Sequence, residues 1–179
     1  MKVKVISSAK VFKGKRFSVE RRVLDINGRR AERDIVVFPE SVVVLPLLRD
    51  DVVLLIKQYR AALNDYIYEA PAGIIEPGET VKGAAQRELV EETGYTAGEL
   101  MEIGSFYPVP GYSTECMHFV IARNLEYVGA KPEPYEVIEP VVVSVEKAIE
   151  MIKANTINDL KTAAIILYYY SLLRGGKIH

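Results

Sequence analysis

The segment that most constrains how this chain can fold is a loop rich in glycine and proline that runs directly into an acidic stretch. The loop is marked by a small set of such residues: Pro71, Gly73, Pro77 and Gly78. Thr80 then stands where a helix N-cap is favoured, ahead of a helical stretch from Val81 to Glu92. Gly94 follows as a helix stop, because glycine readily adopts the left-handed conformation that ends helices. The pattern predicts an ordered loop and a helix with defined ends.

Three glutamates of the predicted helix share one face. Successive helical residues turn by about 100°, so Glu88, Glu91 and Glu92 fall within roughly one third of the circumference. Carboxylates at this spacing repel one another until a cation binds between them. Oxygen ligands without neighbouring Cys or His side chains select hard ions, so we expect Mg²⁺, for which Mn²⁺ or another divalent ion can substitute. An acid-rich helix can also be a solvated surface, but its glycine-framed setting favours a metal site.

The residues around the three glutamates have expected supporting parts. Leu89 lies about a quarter turn away and should anchor the helix to a sheet. Gly73 indicates either a close backbone approach or a positive φ, and it would leave the carbonyl of Ala72 free as a further metal ligand. Glu79 and Arg87 stand on either side of the first helical turns, where a salt bridge would fix the loop against the helix.

The N-terminal residues predict an antiparallel β sub-domain over positions 1–40. Apolar and polar side chains alternate there, and Asn27-Gly28 is a two-residue turn signal between the stretches Arg16 to Ile26 and Arg29 to Phe38. An earlier strand is expected at Val3 to Phe12.

Residues 41–179 predict an α/β domain with helices layered around one sheet. Nearly continuous aliphatic runs at Ser41 to Leu47 and Val52 to Tyr59 are typical of buried strands. Three further strands are expected: Ile103 to Tyr107, Met117 to Ala122 and Val141 to Val145. Two helices complete the pattern: Val145 to Ala154, and a helix from an Asn158 cap to the Gly175-Gly176 stop.

Composition and charge exclude several classes of protein. Apolar residues make up 49% and charged residues 26% of 179 residues, which indicates a folded globular protein. The single cysteine, Cys116, favours a reducing compartment, and the longest apolar stretch, Thr162 to Leu173, is too short for a bilayer. We therefore expect a cytoplasmic protein without membrane contact. A net charge of −1 argues against a nucleic-acid partner, although residues 1–34 hold 11 basic and 4 acidic residues. That basic segment either helps to hold an anionic substrate or is the solvated face of a hairpin.

The loop and the acidic helix together resemble the signature of the Nudix hydrolase family. From Gly73, five residues lead to Glu79 and seven more lead to Arg87, which opens the run Arg-Glu-Leu-Val-Glu-Glu-Thr-Gly. The match at every specified position implies a Nudix α/β/α sandwich around a mixed β-sheet and metal-dependent cleavage of a nucleoside diphosphate linked to another moiety. It also implies a catalytic as well as a metal-binding part for Glu91. Structural parts fall to the rest of the motif: Gly73, Glu79, Arg87 and Gly94.

A second resemblance concerns the substrate. Pro110 lies sixteen positions after Gly94, in the segment Ser105 to Glu115, and resembles the mark of the ADP-ribose pyrophosphatase branch. Flanking segments agree with that branch: Gln58-Tyr59-Arg60, Glu69 to Gly73, Glu136 to Glu139 and Ile157 to Thr162. The branch implies hydrolysis of ADP-ribose to AMP and ribose 5-phosphate by a homodimer whose N-terminal β sub-domain reaches across to the adenine. Alternatives are a pyrophosphatase for a nucleotide sugar, NADH or a diadenosine polyphosphate, and a non-catalytic sensor of ADP-ribose-like ligands.

The same analogy implies roles for individual residues. Arg60 would contact the diphosphate, because a guanidinium suits phosphate oxygens. Candidates for stacking on adenine or bonding to its edge are Phe17, Tyr59 and Arg33, each of which could equally pack in a sheet. Glu69 and Glu115 are candidate contacts to ribose hydroxyls or to metal-bound water.

The general base is expected in the loop from Lys131 to Pro140, because the branch places its base on a mobile loop after the Nudix helix. Three glutamates lie there: Glu133, Glu136 and Glu139. We choose Glu136, which keeps the expected spacing to the following strand, and a general base typically contributes about 10² to 10⁴-fold to the rate. Glu115 is the alternative base.

Overall fold

The computed structural model describes residues 2–130, 135 and 137–175. Ten strands and three helices lie in this part of the chain. The chain divides into two compact units, an N-terminal unit of Met1–Glu40 with Phe106–Met117 and a larger unit of Ser41–Ser105 with His118–His179. No helix among the described residues is long and apolar enough to cross a bilayer.

The N-terminal unit is built on a three-stranded antiparallel sheet. Its strands are β1 (Val3–Lys13), β2 (Ser18–Ile26) and β3 (Arg29–Val37), in the spatial order β1-β2-β3. Asn27 and Gly28 have φ values of 54° and 85°, the positive angles that a tight two-residue hairpin turn requires. Asp25 Oδ1 accepts a hydrogen bond from Gly28 N–H at 2.7 Å. The predicted hairpin and the strand before it are confirmed.

The larger unit contains a seven-stranded sheet. Its strands are β4 (Ser41–Arg49), β5 (Val52–Arg60), β6 (Asp65–Glu69), β7 (Ala72–Ile74), β8 (Tyr95–Phe106), β9 (Met117–Tyr127) and β10 (Ile138–Ser144). The spatial order is β10-β5-β4-β9-β8, with β6 paired to β5 and β7 paired to β4. Residues 41–47 of β4 are all buried, so this strand lies at the centre of the core.

The first helix, α1 (Val81–Thr93), packs on this sheet through small and aliphatic residues. Thr80 caps it, with Oγ1 accepting from Gly83 N–H at 3.0 Å. Leu89 is fully buried, as predicted, in a cluster of α1 with β4 and β9: Val42, Val44, Ala84, Ala85, Leu89, Val120 and Ala122. The polar face of α1 is thereby turned away from the apolar core.

Gly94 ends α1 as predicted, with φ of 78° and an N–H that donates to the Val90 carbonyl at 2.9 Å. The Gly94 carbonyl in turn accepts from Val128 N–H at 2.8 Å and from Gly129 N–H at 3.1 Å. A Cβ at position 94 would lie 2.6 Å from Ala130 N, so only glycine fits there without a shift. The end of α1 is thus tied to the residues that follow β9.

Two further helices are α2 (Val145–Lys153), capped by Ser144, and α3 (Leu160–Gly175). The predicted Asn158 cap of α3 is wrong by one residue. Asp159 Oδ2 accepts from Thr162 N–H at 3.0 Å, and the Asp159 carbonyl accepts from Ala163 N–H at 3.0 Å. Asn and Asp are about equally good N-caps, so composition alone did not decide between the neighbours.

The structure adds strands that the sequence pattern did not predict. β7 lies where a loop was expected, β6 lies in a stretch for which no element was predicted, and β8 begins at Tyr95 instead of near Ile103. β7 has only three residues, and its Ala-Gly-Ile sequence has no strong strand signal. Its hydrogen bonds to the buried strand β4 stabilise it instead. These strands carry the loop residues of the motif to the edge of the core.

Candidate active site

Gly73 lies against the side chain of Glu88. A Cβ at position 73 would stand 1.8 Å from Glu88 Oε1 and 2.1 Å from its Cδ. Gly73 has no positive φ, so of the two reasons expected for a glycine here, the structure shows the close approach. The missing side chain at position 73 therefore makes room for the carboxylate of α1.

Arg87 joins the loop to the helix. Its Nε and Nη2 donate to Glu79 Oε1 and Oε2, each at 3.0 Å, and Nη2 also donates to the Ile74 carbonyl at 2.9 Å. Its Nη1 donates to Glu88 Oε1 at 2.6 Å and to Glu91 Oε2 at 3.1 Å. The predicted ion pair of Glu79 with Arg87 is thus present, and one guanidinium contacts three carboxylates.

These contacts change the acid–base properties of both partners. Hydrogen bonds from Arg87 hold the pKa of the Glu79 carboxyl below its ordinary value. The hydrogen bond to Glu79, and further contacts with Glu88, raise the pKa of Arg87 despite partial burial. Both groups are therefore charged across the whole range in which the protein would work.

Ala72 presents its backbone to α1. In the pairing of β4 with β7, Ala72 lies opposite Val43. The neighbouring pair, Val44 with Pro71, is hydrogen-bonded, because Val44 N–H donates to the Pro71 carbonyl at 2.8 Å. Hydrogen-bonded pairs alternate in an antiparallel ladder, so the N–H and carbonyl of Ala72 point away from β4. The N–H donates to Glu92 Oε2 at 3.0 Å. The carbonyl oxygen lies on that same edge of β7.

The three helix glutamates and the Ala72 carbonyl form a donor set made only of oxygen. Glu88 and Glu92 are buried, with 9% and 5% of their surface exposed, and the side chain of Glu91 is one-third exposed. In the part of the chain that the structure describes, no three His, Cys, Asp or Glu side chains stand together in a geometry that would hold a metal ion. Arg87 Nη1 lies between Glu88 and Glu91 instead. The chemistry of the donors fits a hard divalent ion, and Gly73 leaves room for the carboxylate of Glu88.

A second cluster of charges joins β5, β6 and the start of α3. Arg60 donates to Glu69 through Nε at 2.5 Å and through Nη2 at 2.7 Å. Lys161 Nζ donates to Glu69 Oε2 and, at 2.9 Å, to Asp159 Oδ2. Glu69 is 1% exposed, and the side chains of Lys161 and Arg60 are 11% and 35% exposed. Arg60 is thus the member of the cluster that solvent contacts most.

The second cluster is electrostatically linked to the acidic helix. The hydrogen bond with Glu69 raises the pKa of Arg60, burial opposes this, and the charges of Glu69, Glu92 and Asp159 add to the rise. Burial by itself would raise the pKa of Glu69, but Arg60 and Lys161 outweigh it and hold that pKa below the ordinary value. Arg60 therefore lies within electrostatic range of Glu92 on α1.

The side chain of Tyr59 points to the opposite face of the sheet from that of Arg60, because the two residues are neighbours in strand β5. Its hydroxyl donates to Asn64 Oδ1 at 2.7 Å, and its ring meets that of Tyr66 edge-on with centroids 5.4 Å apart.

Of the three glutamates considered for the general base, Glu139 lies on β10, opposite Lys57 of β5. Glu133 and Glu136 lie outside the described residues.

Four predicted site residues belong to the N-terminal unit: Phe17, Arg33, Pro110 and Glu115. Phe17 is 41% exposed, and its ring centroid lies 5.9 Å from that of Phe12. Arg33 Nη1 donates to the Glu32 carbonyl at 2.8 Å. Pro110 is exposed, and Glu115 N–H donates to Ser113 Oγ at 3.2 Å.

Sequence reasoning did not single out Lys161 and Asp159. The only signal was their place in the segment Ile157 to Thr162, which agreed with the family branch as a whole. Lys161 lies 92 positions from Glu69, and no periodicity within one element predicts such a contact. A buried acidic residue such as Glu69 does predict that some cationic partner exists.

Residues 37–163 match the NUDIX domain family, and the chain therefore belongs to this family of hydrolases, as the motif from Gly73 to Gly94 predicted. It is 36% identical over 168 residues to the ADP-ribose pyrophosphatase of Bacillus subtilis (strain 168), across 92% of this chain and 91% of that protein. It is 32% identical over 170 residues to the methanol dehydrogenase activator of Bacillus methanolicus, with the same coverage of 92% and 91%.

A solved structure shares the fold. The crystal structure of an ADP compounds hydrolase superimposes with a TM-score of 0.88 and 26% sequence identity, covering 99% of this chain and 98% of that one. The predicted class, a Nudix α/β fold around a mixed sheet with an N-terminal antiparallel sheet, is confirmed.

Proposed function

We propose that the protein hydrolyses the diphosphate bond of ADP-ribose, giving AMP and ribose 5-phosphate, in a reaction that needs a divalent cation. The observation that carries this proposal is the proximity of Arg60 to the acidic face of α1: Arg60 pairs with Glu69, and Ala72, three residues further along the chain, donates its N–H to Glu92 at 3.0 Å. A cation site and an anion-binding guanidinium so arranged suit a diphosphate. Similarity to the ADP-ribose pyrophosphatase of Bacillus subtilis supports ADP-ribose as the compound.

Mg²⁺ is the proposed cofactor, with Mn²⁺ or another divalent ion as a substitute. The ion would be held by the Ala72 carbonyl and by the carboxylates of Glu88, Glu91 and Glu92. When bound, such an ion screens the charge of the diphosphate and lowers the pKa of a bound water. Gly73, Glu79 and Arg87 would keep the helix carboxylates in position through the contacts described above.

The protein's own side chains would bind and orient the substrate. Arg60 donates to the diphosphate, Tyr59, Phe17 and Arg33 contact the adenine, and Glu115 contacts a ribose hydroxyl. A homodimer would bring the N-terminal sheet of one protomer to the substrate of its partner. We further propose a cytoplasmic location and no membrane or nucleic-acid partner.

Glu136 is the proposed general base, which accepts the proton of the attacking water. Turnover of Glu136→Gln should fall by about 10² to 10⁴-fold, because the variant lacks the carboxylate that would take this proton. The matched variant is Glu115→Gln, which should affect KM more than kcat. Near-full turnover in Glu136→Gln together with its loss in Glu115→Gln would reassign the base to Glu115.

The proposed substrate is tested by incubating the protein with Mg²⁺ and a panel of compounds. The panel contains ADP-ribose, ADP-glucose, GDP-mannose, NADH, a diadenosine polyphosphate and a nucleoside triphosphate, and products are separated by chromatography. We expect the highest kcat/KM on ADP-ribose, with AMP as a product. Equal or faster cleavage of a triphosphate would overturn the substrate assignment, and tight binding without cleavage would favour the sensor alternative.

A further inference from the structure

Four charged residues form the second cluster: Arg60, Glu69, Lys161 and Asp159. If Arg60 alone contacts the diphosphate, the other three charged groups need another role. Glu69 is 1% exposed and the Lys161 side chain is 11% exposed, so neither is placed to meet a substrate directly. Burying such groups costs free energy unless each is paired. The arrangement therefore calls for a role that acts through Arg60, the more exposed member.

Lys161 changes the charge that Arg60 presents. A carboxylate that accepts two hydrogen bonds from a guanidinium would by itself cancel the charge of the guanidinium. The guanidinium would then attract an anion less strongly. Here Glu69 Oε2 accepts from Lys161 Nζ as well as from Arg60 Nη2. The carboxylate is shared, and Arg60, Glu69 and Lys161 together carry one net positive charge.

Asp159 does not undo this effect, because its charge is taken up by the first turn of α3. Its Oδ2 accepts from Thr162 N–H at 3.0 Å and from Thr162 Oγ1 at 2.5 Å, in addition to Lys161 Nζ. A carboxylate is stabilised at a helix N-terminus by the unpaired N–H groups and the helix dipole. Asp159 thus fixes Lys161 at the start of the helix.

The same helical turn also holds the strand that carries Glu69. Thr162 Oγ1 accepts from Ala70 N–H at 2.7 Å, and Ala70 directly follows Glu69 in the chain. Both ends of the Lys161–Glu69 contact are therefore fixed by α3. Glu69 occupies Nε and Nη2 of Arg60, and no residue in the described ranges takes the donors of Nη1.

We propose that Glu69 and Lys161 are positioning residues, which hold the Arg60 guanidinium in one orientation and leave its positive charge available to the substrate diphosphate. The inference rests on the proposed function in one respect, that Arg60 contacts the diphosphate. The start of α3, 92 positions from β6 in the chain, is then part of the substrate-binding apparatus without touching substrate.

A double-mutant cycle tests the proposal in the full-length protein with ADP-ribose and Mg²⁺. Lys161→Met should raise KM about 10-fold and change kcat less than about 3-fold, because it removes the cation that shares Glu69 with Arg60 and leaves the helix glutamates unchanged. Lys161→Arg keeps the cation and should restore KM to within about 3-fold of wild type. In an Arg60→Met background, adding Lys161→Met should change KM less than about 2-fold, because the arginine through which it acts is gone.

The control is Lys147→Met on α2, whose lysine pairs with Glu150 at 3.2 Å on the exposed surface and which should leave KM unchanged. Thermal unfolding confirms that each variant is folded, and Glu69→Gln replaces Lys161→Met in both backgrounds if the latter does not fold. Equal effects of Lys161→Met in the two backgrounds, or a wild-type KM in folded Lys161→Met, would overturn the positioning role. If wild type cleaves another panel compound, the proposed substrate fails, and the cycle is measured with that compound.

Discussion

The two arginine-centred clusters of the larger unit differ in their charge balance. Arg87 contacts Glu79, Glu88 and Glu91, so that one cation serves three carboxylates. Arg60 contacts Glu69, which it shares with Lys161, and Lys161 also contacts Asp159, so that two cations serve two carboxylates. The acidic cluster around Arg87 has an excess of negative charge, whereas the basic cluster around Arg60 is balanced and its Asp159 carboxylate is stabilised by the first turn of α3.

The difference teaches how one fold assembles the proposed site for a metal–diphosphate pair. Local sequence builds the acidic cluster, since its glutamates and Arg87 lie within one loop and one helix. Distant chain segments build the basic cluster, since β5, β6 and α3 each contribute a residue. Loss of a group from the first should impair metal binding, and loss of a group from the second should impair substrate binding.

The largest expected effect is in the double substitution Glu91→Gln with Glu92→Gln. Removing two anionic ligands should lower kcat for ADP-ribose on the order of 10³-fold and weaken Mn²⁺ binding measured by calorimetry. The control is Glu146→Gln with Glu150→Gln on α2, where both side chains are exposed. Unchanged bond cleavage in the first variant would remove the basis for the proposed metal site.

Gly73→Ala should come next, because its Cβ would stand 1.8 Å from Glu88 Oε1 and force that carboxylate to move. We expect Mn²⁺ affinity and kcat to fall by about 10 to 100-fold. The control is Gly175→Ala, where a Cβ would meet nothing within 4 Å. Wild-type metal affinity in Gly73→Ala would show that Glu88 does not bind the metal.

Arg87→Ala should weaken metal binding by about 10-fold or more, because Glu79, Glu88 and Glu91 lose the donor that orients them. Turnover at saturating Mg²⁺ should recover in part. Arg49→Ala is the matched control, since this arginine is exposed and pairs with Asp51 at 3.2 Å, away from the helix glutamates. Metal affinity that is unchanged in Arg87→Ala would contradict the supporting role of this residue.

The smallest effect concerns stability and pH in the basic cluster. The pKa of Glu69 lies below its ordinary value of 4.5, so the ionised carboxylate stabilises the fold above that pH, and this contribution is lost as pH falls through the lowered pKa. Glu69→Gln should cost about 2 kcal/mol at pH 7, less than a fully buried pair because Arg60 is partly exposed. Urea unfolding should show the gap between the two proteins narrowing in acid, and a gap independent of pH would contradict the pKa assignment.

Much of the fold could be predicted from local patterns. Thr80 and Gly94 set the ends of α1, and Asn27-Gly28 set the hairpin, because each depends on the conformational preference of one or two residues. β6 and β7 could not be predicted in this way. They are stabilised by pairing with the buried strands β5 and β4. Their own short sequences do not indicate this pairing.

The site divides in the same manner. The ion pair of Glu79 with Arg87 follows from helix geometry, since both residues flank the first turns of α1. The contact of Lys161 with Glu69 depends on how α3 lies against β6, and nothing in either segment encodes that distance. Predictions from the sequence were therefore reliable where chemistry is contiguous along the chain.

The double acceptance by the Gly94 carbonyl has a mechanical consequence. Val128 and Gly129 both donate to this oxygen, so the chain departs toward Glu133 and Glu136 from a point fastened to the end of α1. Any displacement of α1 would therefore also move Val128 and Gly129. A small tilt of α1 would thus be passed directly to the residues that follow β9, and the two would keep their relative position.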